Sequence, residues 1–205
     1  MSFALDHLAI ACSDLAPARE WLEHVLGAPM QPRGEHSAMG THNHLISLGP
    51  DLYLELIAVD PEAVAPNQPR WFDLDNFAGM ARLSNWIARV DDLEAALEMA
   101  PRGAGAAMAL SRGDYRWRMA VPADGKLPFD GGFPALIEWQ SAPPAPDLPD
   151  HGLRLEALYI THPRAQALQA ALQKMGDPGI DIHIARGADP ALGCEISTPS
   201  GLRVF

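Results

Sequence analysis

The order of apolar and polar positions repeats along this chain. An apolar run, Leu5-Asp6-His7-Leu8-Ala9-Ile10, leads into Ser13-Asp14-Leu15, where a helix cap precedes apolar residues at Leu15, Ala18, Trp21, Leu22 and Val25. Later, Leu83-Ser84-Asn85-Trp86-Ile87-Ala88 leads into Asp91-Asp92-Leu93 in the same way. Setting Asp14 on Asp92 gives an offset of 78 residues and places Asn85 on His7. Each unit closes on a strand with a central carboxylate, Tyr53-Leu54-Glu55-Leu56-Ile57 and Leu136-Ile137-Glu138-Trp139-Gln140. Repetition of a whole supersecondary unit constrains a fold more than local propensity does.

The first unit, residues 1–60, predicts a strand at 3–12, a helix ending at the C-terminal glycine Gly27, and strands at 30–37, 41–48 and 52–59. Residues 61–81, broken by Pro61, Pro66, Pro69 and Gly79, read as a connector. The second unit, 82–142, predicts a strand at 83–90, a helix at 92–100, and strands at 106–112, 115–121 and 134–140. A proline-rich linker, 143–152, leads to a third unit at 153–205, with a strand from Leu155, a helix from Arg164 to Met175, and strands near 180–186, 192–198 and 202–205. An offset of 150 sets Ala157 on His7 and Phe205 on Glu55, so the third unit repeats the order without the polar positions. Apolar packing is expected to fill its concave face. The predicted class is α+β: repeated βαβββ modules, two forming a cleft and a third without ligands.

Side chains on a strand alternate between faces. If the aliphatic faces pack under the helices, His7 and Glu55 point to the opposite, concave face, and Asn85 and Glu138 do so in the second unit. Two curved sheets set edge to edge would then gather all four. A carboxylate at the centre of a strand is costly to bury without a partner, and two at equivalent positions point to a site. His42 and His44 share a strand face, a fair metal pair by spacing, though exposed edge positions are the commoner reading. Arg116 and Arg118 also share a face and have the geometry to clamp a substrate carboxylate. The stripe Tyr115, Trp117, Met119 reads as core.

The formal net charge of −11 argues against nucleic acid or an anionic membrane as partner. The two cysteines, Cys12 and Cys194, signal neither a disulfide framework nor a thiolate metal site. With no basic leader and no apolar run of spanning length, a soluble cytoplasmic protein is expected.

At these positions the chain resembles the vicinal oxygen chelate superfamily, the glyoxalase, bleomycin-resistance and extradiol dioxygenase relatives built from paired βαβββ modules. Leu5-Asp6-His7-Leu8 and Leu52-Tyr53-Leu54-Glu55-Leu56 carry the likeness most specifically. The segment His36-Ser37-Ala38-Met39-Gly40-Thr41-His42-Asn43-His44-Leu45 is similar to the His and Gly-Thr-x-Asn signature of the glyoxalase-like subgroup. The resemblance implies a divalent metal (Zn, Ni, Mn, Mg or Fe) held by His7, Glu55 and Glu138, with Asn85 in the fourth place, where relatives often carry His. It also implies Glu55 or Glu138 as catalytic base, and a substrate near His36, Thr41 and Asn43. A facial triad for iron would need a second imidazole, from His36, His42 or His44.

The implied function is an enzyme acting on a small oxygenated metabolite by lyase, isomerase, epimerase or dioxygenase chemistry. Its rivals are a metal-free protein that sequesters an aromatic or antibiotic-like ligand, favoured by Asn85, and a non-catalytic subunit. An odd module with open apolar faces predicts a homodimer in which the third module is covered.

Overall fold

The computed structural model describes residues 2–205. Its first unit is β1 (Phe3–Ala11), α1 (Leu15–Leu26), β2 (Gly34–His36), β3 (Thr41–Ser47) and β4 (Tyr53–Val59). The second is β5 (Arg82–Val90), α2 (Leu93–Met99), β6 (Ala106–Arg112), β7 (Tyr115–Val121) and β8 (Ala135–Trp139). The third is β9 (Arg154–Thr161), α3 (Ala165–Met175), β10 (Ile182–Ala185), β11 (Ala191–Thr198) and β12 (Gly201–Val204). Asp14 caps α1 through the Ala16 amide, and Gly27 ends it at φ 71°. Asp92 caps α2 through the Ala95 amide.

The first two units merge into one eight-stranded sheet in the order β2-β3-β4-β1-β5-β8-β7-β6. In each, the first strand lies parallel to the last, β1 on β4 and β5 on β8, and the units meet through the antiparallel β1–β5 pair. The sheet curls until its two edges, β2 and β6, come into contact. On its convex side Leu8, Ile10, Leu54, Leu56, Trp86, Ala88 and Leu136 pack with the helix residues Leu15, Leu22 and Leu93. Its concave side holds a second cluster with Ala9, Ile57, Ile87, Trp117, Met119, Ala135 and Ile137.

Both central strands carry a bulge. The β1–β5 register shifts between Leu5 and His7, and again opposite Ser84, between Leu83 and Asn85. A bulge places two consecutive residues on one face. Asp6 and His7 therefore both turn to the concave side, and so do Ser84 and Asn85. The 78-residue offset maps one bulge onto the other, so His7 and Asn85 hold equivalent places.

The third unit has the same order of elements but pairs its strands differently. Its four-stranded sheet runs β10-β9-β11-β12, with β9 beside the strand that follows the helix and not beside the last strand. Its helix side, with Leu158, Ile160, Leu168, Leu172 and Ile196, continues the main core. Phe205, expected in place of a site carboxylate, meets Trp21 edge to face at 6.2 Å. The open face is not filled by apolar packing: Tyr159 stacks on His183, and Val204 is 71% exposed. Among the described residues no helix is long and apolar enough to cross a membrane.

Candidate functional site

The polar groups of the concave face gather in the first module. The bulge brings Asp6 Oδ1 within 2.7 Å of His7 Nδ1, and Trp139 Nε1 donates to Asp6 Oδ2 at 2.8 Å. On the other side of the ring, His7 Nε2 stands 3.6 Å from Glu55 Oε2. Asn43 Nδ2 donates to Glu55 Oε1 at 2.5 Å, and His36 Nε2 lies 4.0 Å from that oxygen. Thr41 Oγ1 sits 3.1 Å from His36 Nδ1 and so fixes the second imidazole from behind. Tyr53 stacks on the His7 ring, centroids 4.3 Å apart. Of the sequence-predicted residues, His7, Glu55, His36, Thr41 and Asn43 thus come together.

Charge in this pocket is organised by burial and pairing. Burial alone disfavours the His7 imidazolium, but the hydrogen bond to Asp6 and the nearby charges of Asp6 and Glu55 outweigh it and raise its pKa. Burial likewise opposes an ionised Glu55, yet His7, His36 and Asn43 together hold its pKa down to about 2. For His36 burial outweighs the opposing charge of Glu55 and lowers the pKa to about 4, so it is neutral at pH 7. The result is a buried chain in which His7 stands between the carboxyl groups of Asp6 and Glu55, both of which favour its protonated form.

Around these groups lies a cavity of about 30 Å³, walled by Trp71, Phe72, Trp117, Trp139, Ile137 and Arg112 among others. That volume holds one or two waters, so a metabolite must open it. Phe72 and Asp73 adopt left-handed backbone at φ 60° and 54°. Such strain costs about 1 kcal/mol or more per residue and clusters at functional sites.

Glu138 does not join this group, which corrects the expectation that it converges with His7 and Glu55. The parallel registers set Ala9 beside Glu55 and Ile87 beside Ala135. Since Ala9 and Ile87 are equivalent, Ala135 holds the place of Glu55, three residues before Glu138. Glu138 points to the convex side, accepts from the Leu93 amide at the start of α2 at 2.8 Å, and lies 3.4 Å from Arg118 Nη1. Arg118 also pairs with Glu94, and Arg116 donates to the carbonyls of Gly113 and Tyr115, so neither arginine faces the cavity. Asn85 lines a separate cleft of about 430 Å³ with Ser84, Lys126 and Asp130. His42 and His44 are buried on the convex side, not exposed at an edge; His44 Nδ1 lies 2.7 Å from Gln31 O.

A family model described as the glyoxalase-like domain matches residues 5–176. The chain belongs to that family. It is thereby a member of the vicinal oxygen chelate superfamily. A hypothetical protein from Staphylococcus aureus is similar in structure, with a TM-score of 0.63 at 13% identity over 93% of this chain and 88% of its own. A variant of methylmalonyl-CoA epimerase from Streptomyces coelicolor, bound to 2-nitronate-propionyl-CoA, gives 0.45 at 18% identity over 68% of this chain and 97% of its own. The Mycobacterium tuberculosis methylmalonyl-CoA epimerase gives 0.43 at 23%, over 68% and 89%. No curated protein matches the sequence. At these identities the structural likeness speaks to the fold alone.

Superfamily members often use a divalent metal, and the residues here do not fit one held by two ligands from each module. The second module presents Asn85 and Ala135 at the two equivalent places, leaving His7 and Glu55. His7 Nδ1 is engaged by Asp6 at 2.7 Å, so of its two nitrogens Nε2, 3.6 Å from Glu55, is the one turned toward the cavity groups. Among the described residues no group of three or more His, Cys, Asp or Glu side chains is placed to hold a metal ion.

Sequence reasoning missed Asp6, Arg112, Trp71 and Trp139. Strict alternation sets Asp6 on the face opposite His7, and a bulge leaves no mark in the apolar pattern. Trp117, which the strand pattern places in the core, lines the cavity as well.

Proposed function

We propose that this protein is a proton-transfer enzyme acting on a small oxygenated metabolite in the first-module cavity. Glu55 is the carboxylate that accepts a proton from carbon next to a carbonyl, and the His7 imidazolium is the donor to the carbonyl oxygen. The observation that carries the reading is the gap between them. At 3.6 Å, the His7 Nε2 to Glu55 Oε2 separation is too long for a good hydrogen bond. An acid and a base therefore stand side by side without being bonded to each other, so both can reach one bound substrate. Asp6 keeps the imidazole charged and oriented, and Trp139 keeps Asp6 in place. No step in this reading passes through a metal.

The low pKa of Glu55 supports a second reading, a protein that binds a small molecule without turning it over, because a carboxylate near pKa 2 is a weak base. Solvent-deuterium incorporation into small ketones and 2-oxo acids, followed by proton NMR, separates the two. The enzyme reading expects exchange next to the carbonyl that Glu55→Gln abolishes. Equal exchange by wild type and Glu55→Gln would reject Glu55 as the base, and binding without exchange would establish the second reading.

A further inference from the structure

Three hydrogen-bond donors around the cavity have no task in the acid–base reading. Arg112 ends β6, where the two edges of the curled sheet meet, and its side chain lines both the inner cavity and an outer groove of about 740 Å³. Its Nη1 donates to the neutral Asn43 Oδ1 at 2.9 Å, and its guanidinium lies 5.4 Å from the Tyr115 ring centroid. No ion pair to a carboxylate is formed by Arg112 among the described residues. Trp71 and Trp117, 3% and 4% exposed, line the same cavity, and the indole N–H of each is buried without a hydrogen-bond partner. Buried donors are nearly always paired, so two unpaired ones beside a part-buried guanidinium that has no carboxylate partner mark the place of an acceptor.

We propose that the cavity recognises a carboxylate: Arg112 receives the carboxylate of a small organic acid, with the Trp71 and Trp117 N–H groups as further donors to its oxygens. The proposal deepens the reading of the previous subsection by naming the substrate class. A planar guanidinium fork matches a planar carboxylate. A phosphate dianion would call for more positive charge, and among the described residues lining the inner cavity His7, the imidazole that its neighbours favour in the charged form, is already shared between Asp6 and Glu55. Leu45, Arg112, Tyr115 and Pro144 line both spaces, so the body of the acid lies in the outer groove while its head enters past Arg112. Asn43 bridges Arg112 to Glu55, which sets the recognised group beside the base.

The cavity tryptophans report binding by intrinsic fluorescence. The ligands are acetate, pyruvate and benzoate, compared with their uncharged amides and with inorganic phosphate. At least one acid should saturate wild type while its amide does not, and Arg112→Met should weaken that acid by about tenfold or more. Arg112→Lys, which keeps the charge and loses the fork, should fall between. Glu55→Gln should bind the acid as well as wild type or better, because a nearby negative charge is gone. Equal binding of acid and amide, tighter binding of phosphate, an unchanged Arg112→Met, or no saturable acid would each overturn the proposal. Should Arg112→Met fail to fold, the acid–amide comparison and Arg112→Lys decide. Loss of binding in Arg112→Met together with deuterium exchange independent of Glu55 would leave carboxylate recognition standing and remove only the base.

Discussion

His7 owes its charge to its neighbours on either side, and that has a consequence for stability. Its pKa is raised, so its contribution is fully present below the ordinary histidine value of about 6.5 and is lost as pH rises through the folded value. Glu55 is lowered to about 2, so its contribution is present above about 4.5 and is lost as pH falls toward 2. The pair therefore stabilises most between about pH 4.5 and 6.5. Glu55→Ala should destabilise the protein by about 3 kcal/mol inside that window, since it leaves a buried imidazolium half-paired. Denaturant melts at several pH values should show the deficit shrinking on both sides; a deficit constant from pH 3 to 9 would contradict the pairing. Asp6 was the hardest of these residues to find from sequence. It is adjacent to His7, and only a bulge makes adjacent strand residues share a face.

At the scale of elements, the strand–helix–strand order was legible almost throughout, because caps such as Asp14 and Asp92 and apolar periodicity are written locally. Pairing register is written nowhere in one strand. Matching the two units by their central carboxylates therefore sets Glu138, three residues beyond Ala135, in the place that belongs to Ala135. This assigns Glu138 a structural role at the start of α2, so Glu138→Gln should cost about 1 kcal/mol of stability and leave ligand binding unchanged. Loss of binding without loss of stability would return Glu138 to the site. Gly34 offers a complementary test on β2. A Cβ there would come within 2.6 Å of both Arg112 Nη1 and Asn43 Oδ1. Gly34→Ala should fold, since the clash is with side-chain ends, but should break the Arg112–Asn43 contact and weaken acid binding. Unchanged titration curves for Gly34→Ala would detach that contact from recognition.

For the whole molecule, the curled eight-stranded sheet makes one concave face from two modules and divides its chemistry unevenly. The first module keeps His7 and Glu55; the second keeps Asn85 and Ala135 in the same places. Restoring both, as Asn85→His with Ala135→Glu, should create a divalent-metal site that calorimetric titration with zinc or nickel detects, whereas Asn85→His alone should not. Stoichiometric metal binding by wild type that Glu138→Gln removes would contradict the assigned equivalence. The third unit stands apart: its order of elements could be read, but its different strand pairing could not, because nothing in the sequence says which strand lies beside β9. Its open face carries the exposed Leu202 and Val204. The homodimer expected from the sequence would cover them, and Val204→Glu should then convert a dimer to a monomer in light scattering; a monomeric wild type would refute that expectation.

Asp6, His7 and Glu55 form the buried centre of the site, and an NMR titration of histidine-labelled protein checks their coupling. The His7 signal, assigned by its loss in His7→Gln, should report an imidazolium at neutral pH with a pKa above about 6.5, falling in both Asp6→Asn and Glu55→Gln. A His7 that is neutral at pH 7 and indifferent to either substitution would contradict it.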